Sequence, residues 1–251
     1  MQNQRFAFKS KPHALFALFF GCVFAIAYKM WKHYLLTSLK LDPETNYYNF
    51  QFLCTVFRVA TTLLSCSIAI FLFRKFRALW TRSNSEMLLV LSLYPIAFFI
   101  FKNLALTLDE TPLRHFGYEL FFNFFAGTSE ELIFRALILT ALWNFLSFWQ
   151  AAILSSALFS AFHYDVVSGY WDYLFLFSWS LVFSVAFAGR VGLLALCMIH
   201  FLWDQIHFGL IWSGQGGPVI ATALILLDLL FLFALVRVAK IGGFISFGRF
   251  R

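Results

Sequence analysis

Eight times the chain runs for roughly the thickness of a bilayer with few or no charges. A run of ~18 or more predominantly apolar residues is long enough to cross the hydrocarbon as a helix. In that solvent the backbone must bond to itself, and a helix does so within one segment. The runs predict helices near residues 14–35, 52–73, 87–106, 116–146, 148–166, 171–188, 191–212 and 219–239. Pro43, Gly169, Gly189 and the turn Gly214-Gln-Gly-Gly-Pro218 punctuate them. The expected fold is therefore all-α, a polytopic transmembrane bundle of about eight spans with no soluble module. Only 12% of the residues are charged, against about twice that fraction in soluble domains. The expected organisation is N-terminal transmembrane helices over 1–115, a functional core over 116–212, and a C-terminal transmembrane helix with a basic tail over 213–251.

The net charge of +7 points to a membrane rather than to nucleic acid, because the basic residues sit in short loops between apolar runs. With both termini placed in the cytoplasm, the inner segments hold Arg5, Lys9, Lys11, Arg74, Lys75, Arg77, Arg82, Arg190, Arg237, Lys240, Arg249 and Arg251. The outer loops then hold Lys29, Lys32, Lys40 and Arg114. This asymmetry predicts a multi-pass protein of the cell (inner) membrane, in contact with the lipid bilayer, with both ends inside. The basic lead before Ala14–Ala27, and the small-x-small Ala25-Ile-Ala27, have the form of a signal peptide. Since many spans follow, an uncleaved first span is expected. Cys22, Cys54, Cys66 and Cys197 all lie in apolar runs without a Cys-x-x-Cys, and are expected to act as small hydrophobes.

Within this apolar chain one stretch is anomalous: Gly127-Thr-Ser-Glu-Glu-Leu-Ile-Phe-Arg135. Ionisable groups at membrane depth are expensive and mark function by default. Glu131 and Arg135, four apart, share a helical face and can pair. Glu130 is rotated by about 100° and faces elsewhere. That reading leaves Glu130 unpaired and desolvated, a carboxylate able to take a proton from water. Two further segments carry histidines, Phe159-Ser-Ala-Phe-His163 and His200-Phe-Leu-Trp-Asp204. His200 and Asp204 share a face, so Asp204 is expected to hold one ring nitrogen of His200. His207 continues that stripe, and a His/Asp/His face could also ligate a metal.

Glu-Glu-x-x-x-Arg, Phe-x-x-x-His and His-x-x-x-Asx, in that order on three membrane helices, resemble the CAAX-protease and bacteriocin-processing (CPBP, Abi) family of intramembrane endopeptidases. The likeness runs from Phe121 to His207, about a third of the chain. It implies a peptide hydrolase and gives the 116–212 core a catalytic role. It further implies that Glu130 and His163 activate a water, that His200 and Asp204 stabilise the oxyanion, and that Glu131 and Arg135 support the site. Asp204 stands where the family motif often ends in asparagine. An aspartate donates only when protonated, so its expected part is to orient His200. A glutamate-type mechanism that requires no cofactor is expected. Zinc is the alternative, on Glu130, His163 and His200, although no His-Glu-x-x-His is present. The expected partner is a membrane-anchored or secreted peptide or protein: a prenylated CAAX tail, a leader or bacteriocin peptide, or a C-terminal sorting helix. With the ends inside, His163 falls at the outer end of its helix, so the site is expected to open outward.

Other readings compete. Ser129 with a histidine would make a rhomboid-like serine protease, and Asp204 with Asp228 a presenilin-like aspartyl pair. The same buried charges could instead form a non-catalytic scaffold or a small transporter. The completeness of the Glu130, His163 and His200 set weighs against a scaffold. The lack of repeat symmetry weighs against a transporter. Arg58 and Asp228, left over inside spans, are expected to pair with each other.

Overall fold

A computed structural model describes residues 8, 10–40, 47–73, 76–81, 84–105, 116–164, 167, 169–207 and 218–241. Among these residues every long apolar run is helical, and the sole extended pairing is an isolated bridge between Phe8 and Phe73. The helices are α1 (Lys11–Thr37), α2 (Tyr47–Leu72), the short α3 (Phe76–Thr81), α4 (Ser85–Ala105), α5 (Phe116–Glu130), α6 (Thr140–Trp143), α7 (Phe148–Phe162), α8 (Tyr170–Ala188), α9 (Leu193–His207) and α10 (Pro218–Ile241). A π-helical segment, Glu131–Leu139, joins α5 to α6 without a break. The expected all-α bundle is what forms.

Local sequence sets several boundaries. Pro12 lies in the first turn of α1, where its missing N–H costs nothing. At α7, Ser147 and Gln150 form a capping box that closes the free N–H groups of the first turn. Gly189 and Arg190 turn the chain between α8 and α9. Arg190 adopts a left-handed φ of 71°, and its carbonyl accepts from the Asn84 N–H at 2.9 Å.

Four helices are long and apolar enough to cross a membrane: Lys11–Thr37, Asn49–Leu72, Tyr170–Ala188 and Thr222–Ala239. Three more apolar helices are shorter, at Ser85–Phe98, Phe148–Phe162 and Leu193–Gln205. With the α5–α6 run, these make up the eight segments read from sequence; by length and apolarity alone, four of the described helices are spans. The protein is an integral membrane protein.

The helices sort into inner and outer positions. Of the most apolar window of α8, 67% is buried, against 22% for α10 and 28% for α1. Thus α8 and the fully buried π segment form the centre, while α1 and α10 are peripheral. The peripheral helices expose Leu15, Phe19, Ile26, Leu226, Leu230 and Phe233, which suits a hydrocarbon surround. The π segment packs against α1, α2, α7 and α9, so its charged side chains project where several helices meet. Gly21 of α1 makes that approach possible: a Cβ there would lie 2.6 Å from Ile138. All four cysteines are free thiols within this packing.

The outlying Asp228 does not pair with Arg58. Its carboxylate accepts from Tyr94 and, at 2.5 Å, from Ser178, tying α10 to α4 and α8. Asp204 lies beside His200.

Candidate active site

Glu130 and Glu131 close α5 and open the π segment, and they face different neighbours, as their adjacent positions dictate. Both are buried. Glu131 Oε1 lies 3.1 Å from Arg135 Nη1 and accepts from His200 Nδ1 at 2.9 Å. Arg135 is fully buried; its Nη2 donates to the Ser180 hydroxyl at 3.1 Å and to the Ser180 carbonyl at 3.3 Å. The rings of Phe159, Trp179 and Phe183 surround its guanidinium at 4.9–5.5 Å.

Glu130 differs from its sequence reading. It is not unpaired: Oε1 lies 2.8 Å from Nη2 of Arg58, which reaches in from α2. The other oxygen, Oε2, faces both histidines, at 3.6 Å from His163 Nε2 and 3.8 Å from His200 Nε2. His163 caps the end of α7, where its Nδ1 sits 2.9 Å from the Phe159 carbonyl. A carbonyl only accepts, so Nδ1 carries the proton and the Nε2 of the neutral ring presents a lone pair towards Glu130.

His200 also departs from expectation. The partner that fixes its ring is Glu131, through Nδ1. Asp204 lies 3.6 Å from Nε2, beyond hydrogen-bond length, and so does not hold the ring nitrogen assigned to it from spacing. The Trp179 ring stands across His200 at 4.6 Å and walls off its other side. Gly127 lets α9 come this close, since a Cβ there would meet His200 Cγ and the Phe201 amide at 3.3 Å.

Arg58, Glu130, His163, Trp179 and His200 line a cavity of about 170 Å³, room for several waters. Lys29 and Lys32 from the end of α1, Phe50 and Gln51 from the start of α2, and Asp204 near the end of α9 line it too. The cavity therefore lies towards one end of the bundle. Ser129 is fully buried; it donates to the Ala126 carbonyl at 3.0 Å and accepts from Arg58 at 3.0 Å. A hydroxyl whose proton is committed to backbone is a poor nucleophile, which counts against the rhomboid-like reading.

Comparison with known proteins finds the same region. Residues 113–206 match the family model of the type II CAAX prenyl endopeptidases, Rce1-like. That stretch belongs to the CPBP family. Over those residues the chain is similar to CAAX-type intramembrane endopeptidases. The CPBP stretch contains Glu130, Glu131, Arg135, His163, His200 and Asp204; Arg58 lies outside it. Searches of curated proteins and of solved structures returned no match.

Among the described residues, no three His, Cys, Asp or Glu side chains form a group that could hold a metal ion. In the set Glu130, His163 and His200, Glu130 Oε1 also lies 2.8 Å from the Arg58 guanidinium. The side chain of His207 lies outside the described residues.

Sequence reasoning assigned Arg58 to Asp228 instead of to the site, and passed over Tyr28, whose ring lies 3.8 Å from the Arg58 guanidinium. The signal was present: an arginine in the middle of an apolar span is as anomalous as a glutamate in one.

Proposed function

We propose that the chain hydrolyses a peptide bond close to its substrate's membrane anchor, using a water activated by Glu130 and His163. The observation that carries this reading is the convergence of Glu130 Oε2 with both histidine Nε2 atoms at 3.6 and 3.8 Å. Those gaps are too long for direct hydrogen bonds and suit a bridging water. On this reading Glu130 Oε2 takes the water proton as its oxygen attacks the carbonyl carbon. His163 Nε2 aligns the water by accepting its second hydrogen. The proton on Glu130 then passes to the leaving amine. His200 gives its Nδ1–H to Glu131, so its Nε2 donates to the developing oxyanion when the ring carries both protons. Glu131 and Arg135 hold that ring, and Asp204 adds negative charge beside it at 3.6 Å. No step requires a metal.

His200→Gln is accordingly expected to lower cleavage by about 10²–10³-fold, the loss typical of one oxyanion donor. The check is the initial rate at matched protein abundance. A rate within twofold of wild type would remove His200 from the mechanism.

The loop-charge asymmetry supports both termini in the cytoplasm and a cavity open to the outer face. An outward site favours a secreted or membrane-anchored substrate, best a C-terminal sorting helix, over a cytosolic prenylated tail. Sealed vesicles of known orientation test this with three tagged substrates: a prenylated CAAX peptide, a leader peptide and a helix-ended peptide. The helix-ended peptide is expected to be cut by right-side-out vesicles alone. Cleavage confined to inverted vesicles would contradict the outward site. Abundant protein that cuts none of the three would favour the scaffold or transporter reading.

A further inference from the structure

We propose that Arg58 is a positioning residue for this hydrolysis: it pins one oxygen of Glu130 so that the other faces the reacting water. This rests on the water-activation reading above. Arg58 is 5% exposed in the middle of α2, a span in which a cation is expensive. It is not needed to neutralise the second glutamate, because Arg135 pairs with Glu131 at 3.1 Å.

Arg58 is held on three sides. Nη2 meets Glu130 Oε1 at 2.8 Å, Nη1 donates to Ser129 Oγ at 3.0 Å, and the guanidinium lies 3.8 Å from the Tyr28 ring centroid. Ser129 is itself fixed by its bond to the Ala126 carbonyl. The planar fork therefore has little freedom to swing. The terminal torsion of a glutamate is broad and close to two-fold, so an untethered carboxylate can present either oxygen in a range of poses. With Oε1 taken by Arg58, Oε2 is left for His163 and His200 at 3.6 and 3.8 Å. α2 thus supplies to the site what the CPBP stretch does not contain.

The test uses the whole chain with three variants, Arg58→Gln, Arg58→Lys and Glu130→Gln. Two quantities are read: cleavage of the helix-ended peptide, and the Glu130 carboxylate bands in infrared difference spectra of detergent-solubilised protein, taken against the Glu130→Gln form of each background. Arg58→Gln is expected to cut about 100-fold more slowly, the loss typical of a misplaced catalytic group, with shifted Glu130 bands. Arg58→Lys keeps the charge but not the fork, and is expected to recover roughly tenfold of that loss. A residue that merely tied α2 to α5 would leave the bands in place. Wild-type cleavage by Arg58→Gln, or unmoved bands, overturns the proposal. If Arg58→Gln does not accumulate, Arg58→Lys decides: slowed cleavage with shifted bands supports the role, and wild-type behaviour in both refutes it. Undiminished cleavage by Glu130→Gln would sink the water-activation reading. Wild-type cleavage by Arg58→Gln beside a dead Glu130→Gln would sink the Arg58 role alone.

Discussion

Arg135→Met should cost about 3–5 kcal/mol of stability, the range found when one partner of a buried ion pair is removed. Methionine roughly keeps the length of the side chain, so the loss is one of charge and hydrogen bonds more than of volume. Arg135 has no exposed surface and gives its N–H groups to Ser180 while facing Glu131 at 3.1 Å. Without it, the partner left to Glu131 among the described residues is His200, at 2.9 Å, in the middle of the bundle. Removing both charges is predicted to hurt less, since a buried pair taken out together is often close to neutral. Arg135→Met with Glu131→Gln should therefore melt above Arg135→Met alone, because glutamine still offers His200 an acceptor. Thermal unfolding in detergent, followed by monodispersity, checks both statements. A single-variant loss below about 1 kcal/mol, or a double variant no more stable than the single, would mean that the pair does not hold the π segment as described.

The architecture was legible because lipid leaves a chain few choices: each long apolar run had to satisfy its own backbone, and the expected 171–188 helix appears as Tyr170–Ala188. The π geometry of Glu131–Leu139 was not legible, since its charged pair at a four-residue interval reads as an ordinary α-helix. Within the site, spacing found what is local. The four-residue interval between Glu131 and Arg135 does bring them together. The same rule misled at His200, where Asp204 shares the helix face but the shorter contact comes from Glu131 on another helix. It also left Glu130 without a partner, because Arg58 arrives from α2 and no interval along the chain encodes that meeting. By charge alone, Arg58 and Asp228 are the remaining opposite pair. In the fold, Asp228 takes hydroxyl partners on α4 and α8, and Arg58 is drawn to the site. Buried charges could thus be picked out from the sequence, whereas their partners depended on helix packing.

Glu130→Gln is expected to produce the largest loss of activity, about 10²–10⁴-fold, the usual contribution of a positioned general base. Glutamine matches the volume and can still accept from Arg58 through its carbonyl oxygen, so the packing between α2 and α5 should persist. What disappears is the basic oxygen that faces His163 and His200 at 3.6 and 3.8 Å. The measurement is cleavage of the helix-ended peptide in membranes, wild type beside Glu130→Gln at equal abundance. The account predicts that wild type cuts and the variant falls by at least about 100-fold. Equal rates would show that Glu130 is not the base, and would return Ser129 to consideration as the nucleophile.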